Sequence, residues 1–367
     1  MKIKANKTDL IEAIILPQSI ADKKSGRISD LLLEATGDGK IYFTGTDLDS
    51  FITTWTSASV EEEGKICVNA RKLYEVVREL PGEDVELTTS GDKLEIRSEK
   101  AKFNLVTSEP EDFPTKPTVD SSNEFEISSE TLSSLINSTL FAAATDDVRP
   151  ILGGILLEKE GDKLIAVATD SHRLSYASEK VEGLENVNYP EKGIILPRKG
   201  ASELTKLCSR GDKIKLGITE NIVVASDGNT EITIRLILGE YPNYRSVIPR
   251  DNPTIATVNR DEFAAAVKRV SLISTDKLKG VKLIFTHDEL KLISRDELGD
   301  AEESIPVTLK GDPIEIGFNA RYLLDSMIPF SGDELHFKLR DEMTATLIYE
   351  SEELDKFVII MPMNIPW

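Results

Sequence analysis

The sequence predicts an α+β fold built as three tandem copies of one unit, and three observations predict it. The stretch Val68–Ser98 reads as a short helix, a Gly-Asp turn, a strand, a second Gly-Asp turn and another strand, and the same order returns at Leu196–Asp227 and Phe318–Tyr349. The helix starts fall at Asn69, Pro197 and Asn319, 128 and then 122 residues apart, a period that marks a repeat architecture. Each third also opens with a short strand and a capped helix, and each follows that helix with hairpins that alternate apolar and polar residues. Every third therefore holds two strand-helix-strands half-repeats, and the chain holds six.

In the first third, Lys2–Asn6 runs into Thr8-Asp9 and then Leu10, Ile11, Ala13, Ile14 and Ile15 at helical spacing. In the second, Phe125–Ile127 runs into Ser128-Ser129 and then Leu132, Leu135, Ile136 and Leu140. In the third, Thr257-Val258 runs into Asn259 and then Phe263, Ala266, Val267 and Val270. Small polar residues ahead of an i, i+3, i+4 apolar pattern mark helix starts, because their side chains accept from the orphan N–H groups of the first turn. The hairpins LLLEATGDGKIYFTGTD, ILLEKEGDKLIAVATD and VKLIFTHDELKLISRDE turn at Gly or Asp and alternate in character, as antiparallel strands with one buried face do. Pro114–Asn123 and Pro249–Pro253 read as linkers, which sets domains at 1–120, 121–250 and 251–367. Antiparallel sheets with helices on one face can be joined edge to edge, and a curved array can close into a ring.

The 367 residues are 40% hydrophobic and 29% charged, the composition of a soluble globular protein. No run approaches the roughly 18–20 apolar residues of a membrane span. Met1-Lys2-Ile3-Lys4 opens directly into strand-like alternation, so no signal peptide is expected. Cys67 and Cys208 lie in different thirds without metal spacing, which predicts reduced thiols in a cytoplasmic protein. The net charge is -20, and all three thirds share the acid excess. Such a chain does not hold nucleic acid by neutralising phosphates, although it can enclose DNA without gripping it.

Thr169-Asp170-Ser171-His172-Arg173-Leu174 is the most chemical-looking segment. Neighbours along a strand do not face one another as a catalytic triad must, and three histidines in the chain leave no cluster with zinc spacing. Asp47 and Asp49 put two carboxylates on one side of an extended segment, which could hold a cation. The matching Thr46-Asp47 and Thr169-Asp170 favour a turn that belongs to the repeat. A metal-dependent hydrolase using Asp47, Asp49, Asp170 and His172 is the competing reading, and it predicts an activity lost in Asp170→Ala. No Gly-rich phosphate loop sits between a strand and a helix, and no cofactor is expected. Basic residues gather on the second helix (Arg71, Lys72, Arg78), the fourth (Arg198, Lys199, Lys206, Arg210) and the fifth (Lys268, Arg269). Glu75, Glu79 and Glu203 share those surfaces, as on an ordinary mixed helix face. The C-terminus Phe357–Trp367 stays apolar to the end, where chain ends are usually polar, and Met-rich surfaces suit adaptable peptide binding.

Several ordered segments carry a family resemblance: Gly45-Thr-Asp-Leu-Asp49, Asp147-Val-Arg149, Val167-Ala-Thr-Asp-Ser-His-Arg-Leu174, Pro197-Arg-Lys-Gly200, Tyr241-Pro-Asn-Tyr244, Gly317-Phe-Asn319 and Met361-Pro-Met363. Over essentially its whole length the chain resembles the beta subunit of bacterial DNA polymerase III, the replicative sliding clamps. The resemblance implies a head-to-tail dimer whose six similar domains close a ring around duplex DNA, with helices inside and sheets outside. DNA would be held by topology, so the acidic composition agrees with a ring that slides. Implied transient phosphate contacts are Lys24, Arg27, Arg71, Arg78, Arg149, Arg198, Lys199, Lys206 and Lys268.

The implied dimer seam brings Lys72, Lys100, Lys102, Phe103 and Leu105 of the first domain against Leu272, Ile273, Glu297, Asp300, Glu302 and Glu303 of the partner's third, an apolar centre inside complementary charge. A pocket for short partner peptides is implied between the second and third domains, made of Leu152, Thr169, Ser171, His172, Arg173, Leu174, Pro242, Val247, Leu278, Asn319, Tyr322, Met343, Val358, Ile360, Met361, Pro362 and Met363. The implied partners are the replicative polymerase alpha subunit, the clamp loader, other polymerases and repair proteins; no catalysis is implied. Ser171 stands where glycine is common in the family, Ser246 where a second arginine often follows, and the tail ends Asn-Ile-Pro-Trp in place of a short basic-apolar ending. A paralogous ring that scaffolds without supporting replication is the remaining alternative, separable by polymerase stimulation.

Overall fold

The computed structural model describes residues 1–21, 26–117, 123–145, 148–274 and 280–365. Lys24, Asp147, Leu278 and Trp367 lie outside the described residues. Among the described residues are six α-helices: α1 (Lys7–Ile20), α2 (Ala70–Glu79), α3 (Ser129–Thr139), α4 (Arg198–Cys208), α5 (Arg260–Val270) and α6 (Ala320–Asp325). Asparagines begin four of them. Asn6 accepts from the Thr8 and Asp9 amides, Asn69 from Lys72, Asn259 from Glu262, and Asn319 from Arg321 and Tyr322, each satisfying donors that the first turn leaves orphaned.

The contacts divide the chain into two compact units, Met1–Ser129 with Ser202–Leu236, and Glu130–Ala201 with Ile237–Trp367. The ladders explain the division, because the central third gives one half-repeat to each unit. In the first unit, Thr230–Arg235 pairs antiparallel with Ser50–Ser57, from Thr230 opposite Thr54 to Ile234 opposite Ser50. That pairing makes one 13-stranded sheet among the described residues. Leu10, Ala13 and Ile14 of α1 and Leu73 and Val77 of α2 bury against Leu31, Leu33, Phe43, Val85, Leu87, Leu94 and Ile96 of its strands. A Cβ at Gly45 would overlap the carbonyl oxygen of Pro17 in α1, so helix and strand approach this closely only over glycine.

In the second unit, Arg173–Lys180 pairs antiparallel with Lys356–Ile360, from Arg173 opposite Ile360 to Ala177 opposite Lys356. The resulting sheet has nine strands, in the order Ile194–Pro197, Gly154–Glu160, Lys163–Thr169, Arg173–Lys180, Lys356–Ile360, Thr346–Tyr349, Glu334–Leu339, Thr254–Asn259 and Thr308–Lys310. A four-stranded sheet follows the order Gly299–Pro306, Glu289–Asp296, Gly280–Phe285, Ile314–Asn319. Strand alternation gives Lys356–Ile360 two destinations. Val358 and Ile360 enter a core with Phe263, Phe318 and Phe337, while Phe357 and Ile359 face Leu174, Tyr244, Leu347 and Tyr349 on the other side. This second face carries the site.

Candidate functional site

The Thr-Asp motifs are turns. Thr169 Oγ1 donates to the Arg173 carbonyl at 2.6 Å and accepts from the Ser171 amide at 3.1 Å, while Asp170 Oδ1 accepts the His172 and Arg173 amides, each at 3.0 Å. Thr46 and Asp47 repeat the pattern: Thr46 Oγ1 donates to the Ser50 carbonyl at 2.8 Å, and Asp47 Oδ1 accepts from the Ser50 amide at 2.7 Å. Asp227 does the same for Asn229 and Thr230. The residue after each aspartate has positive φ: 81° at Leu48, 76° at Ser171 and 97° at Gly228. That conformation costs an L-residue about 1–2 kcal/mol, which is the physical reason glycine suits this position and why Ser171 is a departure. The hydrolase reading required these carboxylates around a metal. Asp170 is instead committed to backbone amides and an arginine, and no group of three or more His, Cys, Asp or Glu among the described residues is placed to hold a metal ion.

Arg173 ties the turn down. Only 7% exposed, it donates from Nε to Asp170 Oδ2 at 3.0 Å, from Nη1 to Asp325 Oδ2 at 2.5 Å, and from Nη2 to the Phe141 carbonyl at 2.8 Å. Its guanidinium also lies 4.5 Å from the Tyr322 ring centroid. The fixed fork of donors meets fixed acceptors, a geometry a lysine cannot supply.

Next to the turn lies a cleft of about 250 Å3 lined by Arg149, Leu152, Thr169, Ser171, His172, Arg173, Leu174, Pro242, Asn243, Tyr244, Val247, Ile359 and Met361. Leu152, Leu174 and Ile359 are buried, whereas Val247 and Met361 are 54% and 45% exposed. The cleft thus has a packed apolar floor and two accessible apolar side chains at its rim. The Met361 amide donates to the His172 carbonyl at 2.9 Å, which brings the start of the tail to the turn. The Tyr-Pro-Asn-Tyr segment is anchored at both ends: the Thr169 amide donates to the Tyr241 hydroxyl at 3.1 Å, and the Tyr244 hydroxyl donates to the Glu158 carboxylate. Burial pushes the Tyr241 and Tyr244 hydroxyls well above the ordinary tyrosine range, so both stay protonated. Arg149 Nη2 donates to Ser171 Oγ at 2.7 Å.

Of the expected pocket residues, the cleft gathers Leu152, Thr169, Ser171, His172, Arg173, Leu174, Pro242, Val247 and Met361. Tyr322 stands beside it, its ring 6.2 Å from that of His172, in a polar recess with Arg198 and Arg321. Asn319 caps α6. Met343 and Met363 line a small cavity further along the tail, and Pro362 is half-buried between the two cavities. Val358 and Ile360 depart from the expectation: alternation turns them into the opposite core and gives the cleft Ile359. The unbroken apolar run Phe357–Met361 carries no polar residue that would mark which side chains face the cleft. Asn243 and Tyr244 were visible inside their motif, and Arg149, expected at DNA, lines the cleft.

Many expected DNA contacts are engaged within the chain. Arg71 pairs with Glu75 at 2.7 Å, Arg78 with Glu79 at 3.0 Å, and Lys206 with Glu203 at 2.8 Å; Lys72, expected at the seam, shares Glu75 at 2.9 Å. Arg198 donates to the Leu140 and Ala143 carbonyls at 2.8 and 3.1 Å. Lys199 and Lys268 are exposed, and Arg27 falls in the turn Gly26–Ser29.

Each expected seam includes a strand edge. In the first unit, Ala101–Ser108 pairs with Lys93–Ser98 along one side and touches Gly64–Asn69 only at Ser108 and Thr107, which leaves the other side of residues 101–106 without a ladder partner among the described residues. Phe103 and Val106 are 40% and 69% exposed there, Leu105 is half-buried and Lys100 exposed, and Lys102 pairs with Glu95. In the second unit, Gly299–Pro306 is the outer strand of its sheet. Leu272 is 77% exposed, Ile273 is half-buried, and Glu297, Asp300 and Glu302 are exposed. Glu303 is held by Arg269 at 2.9 Å.

Three family profiles match the chain in order: the DNA polymerase III beta subunit N-terminal domain at residues 1–117, central domain at 126–243 and C-terminal domain at 245–364. The Beta sliding clamp of Caulobacter vibrioides is 36% identical over the full length of both chains. The crystal structure of the DNA polymerase III subunit beta from Pseudomonas aeruginosa superposes with a TM-score of 0.94 at 30% identity, covering all of both chains. A sliding clamp from Bartonella birtlesii, crystallised bound to griselimycin, superposes with a TM-score of 0.94 at 32% identity over the same extent. Agreement in sequence along the whole chain and in fold at this level leaves one assignment, and the chain belongs to the DNA polymerase III beta subunit family, the bacterial sliding clamps.

Proposed function

We propose that this sliding clamp works as a head-to-tail dimeric ring that encircles duplex DNA and carries polymerases by their peptides. The three-part division 1–120, 121–250 and 251–367 gives the six domains of that ring. The cleft beside Met361 is the observation that carries the reading. Its buried floor, exposed apolar rim and flanking polar groups suit an extended peptide with aliphatic or aromatic anchors. The relatives from Bartonella birtlesii and Pseudomonas aeruginosa, both crystallised with griselimycin, support the idea of a ligandable surface in the family. The replicative polymerase alpha subunit, the clamp loader and repair proteins would compete for the cleft. The protein itself turns over no substrate and acts in the cytoplasm.

DNA is held by enclosure. Internal ion pairing of Arg71, Arg78 and Lys206 supports contacts that form and break easily, because each phosphate contact must displace a carboxylate. The open edge at residues 101–106, flanked by lysines, and the acidic outer strand Gly299–Pro306 fit an interface between unlike edges. Fluorescence anisotropy with a labelled QLSLF-type peptide tests the cleft. Saturable binding that is lost on deleting residues 361–367 is expected, and a folded dimer that ignores the peptide would overturn the assignment.

A further inference from the structure

The tail continues past the cleft and is seated on a bare patch of sheet. In the strands Gly280–Phe285 and Ile314–Asn319, Val281, Leu283, Ile316 and Phe318 are buried in the core, so alternation turns Gly280, Lys282 and Gly317 to the opposite face. The register sets Lys282 opposite Gly317 and Gly280 opposite Asn319. Ile365 lies on this face. A Cβ at Gly317 would sit 2.5 Å from the Met363 carbonyl oxygen and 2.7 Å from Ile365 Cδ1, and one at Gly280 would sit 3.3 Å from Ile365 Cδ1. Any side chain at residue 317 would therefore lift the tail off the sheet. The Met363 amide donates to the Gly317 carbonyl at 2.9 Å, and two residues earlier the Met361 amide donates to His172.

We infer that Ile365 is a positioning residue: seated on Gly317 and Gly280, it fixes the tail so that Met361 is held at the rim of the cleft. The inference rests on the cleft being the peptide site. Met361 is 45% exposed, and by itself a flexible thioether would sample many positions. Two backbone hydrogen bonds and one apolar seat hold its main chain before a peptide arrives, which lowers the ordering cost of binding.

The full-length protein tests this with two readouts, peptide affinity by anisotropy with the labelled QLSLF-type peptide and deuterium uptake at the Met363 amide. Ile365→Ser and Gly317→Ala should each expose that amide and weaken binding on the order of tenfold. Ile365→Val, which keeps most of the apolar contact, should stay within about threefold of the parent and keep the amide protected. Ile365→Ser that leaves the amide protected, or exposes it without changing affinity, would overturn the inference while leaving the cleft reading intact. A parent protein that binds no peptide would overturn the cleft reading and this inference with it.

Discussion

Arg173→Met removes the charge that holds the turn while keeping an apolar stem of similar reach. Three hydrogen bonds are lost, to Asp170, Asp325 and the Phe141 carbonyl. Hydrogen bonds to charged groups are each worth about 1.5–3 kcal/mol, without adding simply. Breaking a buried ion pair by removing one partner costs about 3–5 kcal/mol. The lower end applies here for two reasons. Asp325 is 25% exposed and has Arg321 at 3.7 Å, and Asp170 keeps its two backbone donors. A loss of about 3 kcal/mol lowers the melting temperature of a unit this size by roughly 6–12 °C. Calorimetry and urea unfolding measure it, and a double-mutant cycle with Asp325→Asn isolates the pair. Peptide affinity should fall as well, because the turn presents the His172 carbonyl that receives the Met361 amide. Destabilisation below about 1 kcal/mol would refute the reasoning, since it would mean the strand ladder alone fixes the turn.

Leu272→Ala combined with Ile273→Ala should give folded monomers by analytical ultracentrifugation. Leu272 is 77% exposed, so its truncation costs the isolated chain little; a wholly dimeric double variant at low micromolar concentration would exclude the proposed seam. Burial pushes the Cys67 thiol up to about 12 and the Cys208 thiol up to about 11. The folded state therefore binds these protons more tightly than the unfolded state, whose thiols titrate near 8.5. Their contribution to stability is complete below that value and is lost as pH rises through 11 to 12. Thiol-specific labelling at pH 8 should be slow in the folded protein and fast after unfolding; fast labelling of the folded protein would contradict the burial.

The repeat made the fold legible. Asn69 and Asn319 cap the second and sixth helices where the sequence grammar set them, because capping is a local property that one residue decides. The pairing of Thr230–Arg235 with Ser50–Ser57 gives physical form to the expected edge-to-edge joining. The partition of the central third between two units was not legible, because it depends on which neighbouring edge each half-repeat meets. Within the site, the turn at Thr169–Arg173 could be read from its echo at Thr46–Ser50. Ile359 could not be separated from Val358 and Ile360 in an unbroken apolar run, where period-two alternation leaves no mark. Arg149 offers a different lesson: a cation expected at phosphate donates to Ser171, and sequence cannot say which acceptor a long side chain reaches. Arg198 likewise gives its donors to two carbonyls.

Retention on DNA of defined topology tests the central claim most directly. The protein is loaded with a bacterial clamp-loader complex and ATP onto nicked circular plasmid, separated from free protein by gel filtration, and assayed before and after a restriction enzyme linearises the circle. Enclosure by an acidic ring, each chain of which carries a net charge of -20, predicts stable retention on the circle, little dependence on salt, and loss once ends are available. Retention that survives linearisation, or that fades with salt equally on both forms, would mean binding by phosphate contact and would contradict the sliding-clamp account of this chain.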